Sequence, residues 1–180
     1  MPRNTNIPNA CFMRRCSRMP EPRFLCDEML QRLGRWLRAA GYDTLIAHSA
    51  APDRELVQQA SADGRWLLTR DRHMAAFRNS HGMVVLLETN ELTGQIAEVS
   101  KRFAIDWHLR PFSRCLECNT PIVPATPQQY AQLPEGALSV SDKAWYCPHD
   151  DKLYWEGSHV RRMRQTLDNF ARGEWVIAGD

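Results

Sequence analysis

No stretch of this chain holds the roughly 18 consecutive apolar residues that a membrane-spanning helix needs. The opening MPRNTNIPNACFMRRCSRMPEPR carries basic and polar groups where a signal peptide would place a continuous apolar centre. Both absences set the expectation of a cytoplasmic protein without a membrane partner. Lysine is almost missing, with Lys101, Lys143 and Lys152 against 20 arginines. Guanidinium is the better fork for phosphate, although codon bias in a GC-rich genome leaves the same imprint. No Walker-type glycine loop is present, so the usual signature of nucleoside triphosphate use is absent, and no internal repeat is visible. The net charge of +2 over 180 residues is too small to announce a nucleic-acid binder by bulk electrostatics, which leaves that work to local stripes.

The composition that remains, 43% hydrophobic and 24% charged, is that of a globular protein and excludes collagen-like, coiled-coil and wholly disordered chains. Six cysteines in a cytoplasmic setting point to metal binding or buried thiols over disulfides. Residues 1–22 are rich in Pro and Arg, lack periodicity and read as a basic disordered extension in which Cys11 and Cys16 are free thiols.

From Arg23 the texture is a regular alternation. Residues 23–26 read as a strand and 28–40 as a helix with Met29, Leu30, Leu33, Trp36, Leu37 and Ala40 inward, stopped by Gly41. Strands over 43–48, 66–69 and 83–87 follow, with helices over 53–62, 72–78 and 92–103. Parallel neighbours need crossovers, so this order predicts an α/β domain over 23–106 with a parallel sheet and helices on both faces. After Trp107 prolines and short hairpin-like pieces take over, marking a second small domain over 107–158, and 159–180 reads as a basic amphipathic closing segment.

Three acids fall at corresponding places. Asp27 follows the first strand, Asp71 follows the third, and Asp53 opens the second helix. In an open parallel sheet these positions lie at the carboxyl edge, where ligands bind. Convergent carboxylates repel unless a cation compensates, and hard oxygen donors favour Mg²⁺ or Mn²⁺, which suits phosphodiester hydrolysis. The competing explanation is helix capping, for which Asp is a preferred residue. Glu28 and Glu55 are weaker candidates that also suit helix N-termini. Arg32, Arg35 and Arg38 recur at intervals of three opposite the apolar stripe and, with Arg70 and Arg72, offer phosphate contacts; a solvated helix face accounts for the same row.

The segments Phe24-Leu25-Cys26-Asp27-Glu28-Met29-Leu30, Arg35-Trp36-Leu37-Arg38-Ala39-Ala40-Gly41-Tyr42-Asp43-Thr44 and Leu67-Leu68-Thr69-Arg70-Asp71-Arg72 resemble the Mut7-C RNase domain family. The resemblance runs from about Arg23 to Met163. It implies a PIN-like fold, a parallel sheet between helices whose clustered acids bind Mg²⁺ or Mn²⁺ for RNA cleavage, followed by a small zinc-ribbon domain. On it, Asp27, Asp53 and Asp71 take the acidic metal positions, and RNA is the expected partner.

Cys115-Leu116-Glu117-Cys118 is a CxxC knuckle of the kind that binds zinc. Its counterpart is Cys147-Pro148-His149-Asp150. The resemblance puts a cysteine where Asp150 stands, so three thiolates are joined by Asp150 or His149, with His159 a further possibility, unless the ribbon has lost its metal. Such a zinc would supply folding free energy to a segment with little core. Tyr154, Trp155, Arg161 and Arg162 lie in a stretch like the family's closing motif; aromatics beside Arg suit single-stranded bases, and equally suit packing. The expected function is a metal-dependent ribonuclease. The alternatives are a non-catalytic RNA- or partner-binding module on the same fold and a phosphoryl-transfer enzyme on a similar sheet.

Overall fold

The computed structural model describes residues 20–48, 51–76 and 83–179. Cys11, Cys16 and all but the end of the expected basic extension lie outside the described residues. In chain order the first region contains β1 (Phe24–Cys26), a 3₁₀ turn (Glu28–Leu30), α1 (Gln31–Ala40), β2 (Thr44–Ile46), α2 (Asp53–Asp63), β3 (Trp66–Thr69), α3 (Arg72–Ala76), β4 (Val84–Leu86) and α4 (Leu92–Phe103). The last two residues of the helix expected over 72–78 lie outside the described residues. The strands are all parallel, in the order β2-β1-β3-β4.

Short apolar strands of this kind are what a sheet covered on both sides requires. Phe24 and Cys26 enter one core and Leu25 the other; Leu68 and Val85 join the first, Leu67 and Val84 the second. That alternation is the two-residue period of a pleated strand. Leu33 and Leu37 of α1 and Ile96 and Val99 of α4 cover the first face, while Leu56, Val57, Ala60 and Met74 from α2 and α3 cover the second. Helices therefore flank both faces, as the order of elements predicts. Met29, expected inward, is exposed: the 3₁₀ turn winds more tightly than an α-helix and shifts the register before α1 begins.

Trp107 is buried in the first core, and the chain then leaves it. β5 (Val123–Pro124), single helical turns α5 (Pro127–Tyr130) and α6 (Glu135–Leu138), β6 (Ala144–Cys147) and β7 (Lys152–Trp155) build an antiparallel β5-β6-β7 sheet over a minor core of Leu133, Ala137 and Ala144. Finally α7 (Ser158–Ala171) returns and sets Leu167 and Phe170 into the first core, with the Phe170 ring 5.1 Å from Trp107 and 5.4 Å from Trp36. Among the described residues no helix is long and apolar enough to cross a membrane.

The two regions meet at the C-terminal end of α1. Gly41 closes that helix at φ 100°, a left-handed conformation that favours glycine. A Cβ there would fall 2.5 Å from the Arg110 carbonyl oxygen. The N–H groups of Arg110 and Phe112 donate to the carbonyls of Ala40 and Ala39 at 3.0 and 2.8 Å, so the incoming chain satisfies acceptors that a helix end leaves bare.

Candidate metal centre and acidic edge

Cys115, Cys118, Cys147 and Asp150 are brought together by two tight turns of the same design. In each, the carbonyl of the first cysteine accepts the N–H four residues on, Asn119 to Cys115 and Asp151 to Cys147, both at 3.0 Å. Each turn ends on a left-handed residue, Asn119 at φ 71° and Asp151 at φ 53°. Asn and Asp tolerate that conformation better than most residues. The four donor atoms lie within 4.8 Å of one another, with Cys115 Sγ 3.1 Å from Asp150 Oδ2 and Cys118 Sγ 3.5 Å from Cys147 Sγ. Tetrahedral ligands with metal–sulfur bonds of about 2.3 Å stand about 3.7 Å apart, so this group can hold a metal ion.

The geometry separates the possible fourth ligands. Asp150 occupies the place in its turn that Cys118 occupies in the other. His149 is exposed and sets Nδ1 3.0 Å from Asp150 Oδ1, and His159 lies outside the group. His149 first, then the thiols of Cys115 and Cys118, hold the Asp150 carboxyl down to about 2, while burial pushes the Cys115 thiol up. Around the ligands, Tyr154 Oη lies 3.0 Å from Cys115 Sγ and the Asp150 N–H points at Cys147 Sγ at 3.4 Å, the kind of outer contact that orients metal ligands.

Arg38 corrects the reading of its helix. It is 3% exposed; Nε donates to the Thr44 carbonyl at 2.7 Å and Nη1 to the Leu116 and Glu117 carbonyls at 2.8 and 2.6 Å. It ties α1 and β2 to the cysteine turn and presents no free face to a phosphate. Steps of three fall about 60° short of a full helical turn, so Arg38 sits about 120° around from Arg32, on the buried side. Arg35 is exposed and pairs with Glu117 at 2.9 Å, and Arg32 is exposed.

At the opposite, carboxyl edge of the sheet, β1 and β3 are neighbours and Asp27 and Asp71 follow them. The Asp27 N–H donates to the Leu68 carbonyl at 2.9 Å. Thr69 joins the two acids: its hydroxyl donates to Asp27 Oδ2 at 2.7 Å and accepts the Asp71 N–H at 2.9 Å. Asp71 Oδ1 accepts the His73 N–H at 2.7 Å, so capping accounts for one of its oxygens. Asp27 and Asp53 make no side-chain cap bond. Asp53 opens α2, beyond β2 on the other side of β1. Among the described residues these three acids form no ion pair, and they do not close into a donor group as the cysteines do.

Sequence reasoning missed the support of this edge. Glu98 of α4 accepts the N–H groups of Glu88 and Thr89 at 3.0 and 2.8 Å and the Thr89 hydroxyl, pinning the loop after β4, and Arg70 donates to Asn90. Glu88 follows β4 as Asp71 follows β3, and that shared position was the available signal. Arg72, Arg161 and Arg162 are exposed; Trp155 packs against the minor core of the second region.

The sequence profile described as Mut7-C RNAse domain matches residues 22–167. The human protein named Exonuclease mut-7 homolog is 26% identical over 158 residues, which cover 86% of this chain and 16% of that protein. The chain thus spans less than a fifth of that relative's length. No solved structure matches.

Proposed function

Because this chain belongs to the Mut7-C RNAse domain family, we propose that it is a metal-dependent ribonuclease whose Asp27, Asp71 and Asp53 hold Mg²⁺ or Mn²⁺. The observation that carries the reading is the Thr69 hydroxyl joining Asp27 to Asp71, which follow adjacent parallel strands, at the edge where such sheets bind ligands. The pair Asp27 and Asp71 suits a hard cation: Asp27 Oδ1 and Asp71 Oδ2 have no hydrogen-bond partner, and neither acid is ion-paired with an Arg or Lys, among the described residues. When bound, the ion supplies charge stabilisation for hydrolysis of a phosphodiester. The chain's own residues do the rest. Thr69 fixes the Asp27 carboxylate, the His73 N–H fixes that of Asp71, and exposed Arg32 and Arg72 neutralise flanking phosphates. The Cys115, Cys118, Cys147, Asp150 group suits zinc, a borderline-soft ion that accepts both thiolate and carboxylate, in a structural role.

The test compares parent and Asp27→Asn on a varied pool of single-stranded RNA, with Mn²⁺ or with chelator at a dose that leaves zinc bound by metal analysis. Expected is Mn²⁺-dependent cleavage that falls about a hundredfold in the variant, the scale for losing one electrostatic group from a reaction centre. Cleavage unaffected by Asp27→Asn or by chelation overturns the proposal. The failure of the three acids to close into one donor group favours the alternative, a non-catalytic RNA-binding module. RNA binding without product, indifferent to Asp71→Asn, is the outcome that selects it.

A further inference from the structure

A cleft of about 510 Å³ opens between the second region and α7, within the size range of sites that take a small organic group. Its walls follow from the hairpin. Trp145 of β6 pairs directly with Tyr154 of β7, and side chains alternate along a strand, so Trp145, Tyr154 and Lys152 share one face and point into the cleft. The other face carries Leu153 and Ala144 to the minor core. Phe112 also lines the cleft, and its ring already carries a planar cation, Arg164, 5.1 Å from the centroid. Tyr154 cannot swing freely, because its hydroxyl is held at Cys115 Sγ. The cleft is thus lined by aromatic surfaces, of which Tyr154 is fixed by the metal centre.

The rim has the sign a nucleic-acid strand requires. Its two acids are engaged, Glu117 by Arg35 at 2.9 Å and Glu156 by Arg164 at 3.1 Å. Lys152 has no ion pair among the described residues, and Arg114 and Arg164 are the other cations that line the cleft. Aromatic faces beside cations are the means by which proteins bind single strands, one stacking on bases and the other neutralising phosphates.

We propose that this cleft is a subsite for an unstacked base of single-stranded RNA, seated against Trp145, Tyr154 and Phe112 with its backbone at Lys152. The proposal rests on the ribonuclease reading and deepens it. The cleft lies by the C-terminal end of α1, where Phe112 bonds to Ala39, whereas Asp27 precedes the other end. Ten helical residues span about 15 Å. A base held here lies away from the bond that is cut, so the cleft governs substrate retention and leaves the chemical step alone.

The experiment uses the full chain with zinc bound and, as probe, a single-stranded oligouridylate carrying 4-thiouridine. Expected are photo-crosslinks in the peptides bearing Phe112, Trp145 or Tyr154, and a rise in KM of about tenfold in Trp145→Ala and Lys152→Ala with kcat within twofold. A pre-formed duplex of the same sequence competes poorly, because its bases are hidden. Crosslinks confined to other peptides, or unchanged KM in both variants, overturn the subsite while leaving the nuclease reading intact. A parent chain that neither binds nor cuts the RNA overturns both. Lys152→Ala alters an exposed side chain, and the crosslinks come from the unaltered chain, so a misfolded Trp145→Ala does not blunt the test.

Discussion

At the amino-terminal end of the sheet Asp43 accepts Arg65 Nη1 and Nη2 at 2.8 and 3.0 Å and Asn119 Nδ2 at 2.7 Å, Asn119 Oδ1 accepts the Thr44 N–H at 3.0 Å, and Arg38 spends its donors on three carbonyls. At the carboxyl end Asp27, Asp53 and Asp71 meet no cation among the described residues. The same residue type thus sits in two electrostatic settings on one sheet. Where a carboxylate is matched by guanidinium and amide donors it is architecture, welding the cysteine turn to β2; where no cation meets it, as at Asp27 and Asp71, its charge is left uncompensated by the described residues, which is what the proposed metal reading draws on. The difference is visible in hydrogen bonds and invisible in composition.

The sharpest way to break this contrast is at the metal centre. On the proposed zinc reading, removing the metal, or Cys118→Ser, is expected to cost several kcal/mol in urea unfolding, because metal binding supplies about 10 kcal/mol or more to small zinc modules. The loss should spread to the first region, since Arg38 and Asn119 anchor there, and will be followed by near-UV circular dichroism. Metal-free protein as stable as the metal-bound form would dissolve the architectural side of the comparison.

Next in size is Arg38→Met, which keeps the apolar stem and removes the donors. About 2–3 kcal/mol should be lost through the orphaned carbonyls, and on the proposed ribonuclease reading RNA cleavage per folded molecule stays unchanged. Weaker RNA binding at parental stability would instead return Arg38 to the phosphate-binding set.

The smallest effect belongs to Asp43. Burial raises its pKa, but the hydrogen bonds from Arg65 and Asn119 and the charge of Arg65 outweigh that, and the folded carboxyl titrates below its ordinary value. A depressed folded pKa adds stability that is fully present above about pH 4 and is lost as pH falls through the lower, folded value. Asp43→Asn should therefore cost about 1 kcal/mol at pH 7, discounted for partial exposure, and the gap from the parent should close below pH 4 in thermal melts. A gap that stays constant to pH 2 would show that Asp43 contributes packing and not charge.

Much of the first region was legible because its signals are local. Trp66–Thr69 and Leu92–Phe103 coincide with the predicted elements, since an apolar run between turn residues and a 3.6-residue period each declare themselves within a few positions. Asp150 was legible too, in retrospect of its turn: Cys115–Asn119 and Cys147–Asp151 both read cysteine, two residues, a ligand, then Asn or Asp at the left-handed position. The adjacent His149 keeps the choice open in the sequence alone, because imidazole and carboxylate can both serve as zinc ligands. What could not be read were interactions across distant segments. Arg38 looks solvated until Leu116 and Glu117 arrive beside it, and Thr69 looks like the tail of a strand until β1 brings Asp27.

The seam at Gly41 has a consequence for how such a chain can diversify. The segment that caps α1 through Arg110 and Phe112 is the same one that leads into the cysteine turn, and α7 closes over Trp107 and Trp36 only after the second region is complete. The second region is therefore not a cassette that recombination can lift out or trade whole. Variation is easiest at the exposed positions of the outer tip, such as Gln128, Gln132 and Glu135, whereas any exchange must keep Leu133 and Ala137 in the minor core and carry 107–119 and 158–171 with it or strand a naked helix end and an uncovered tryptophan.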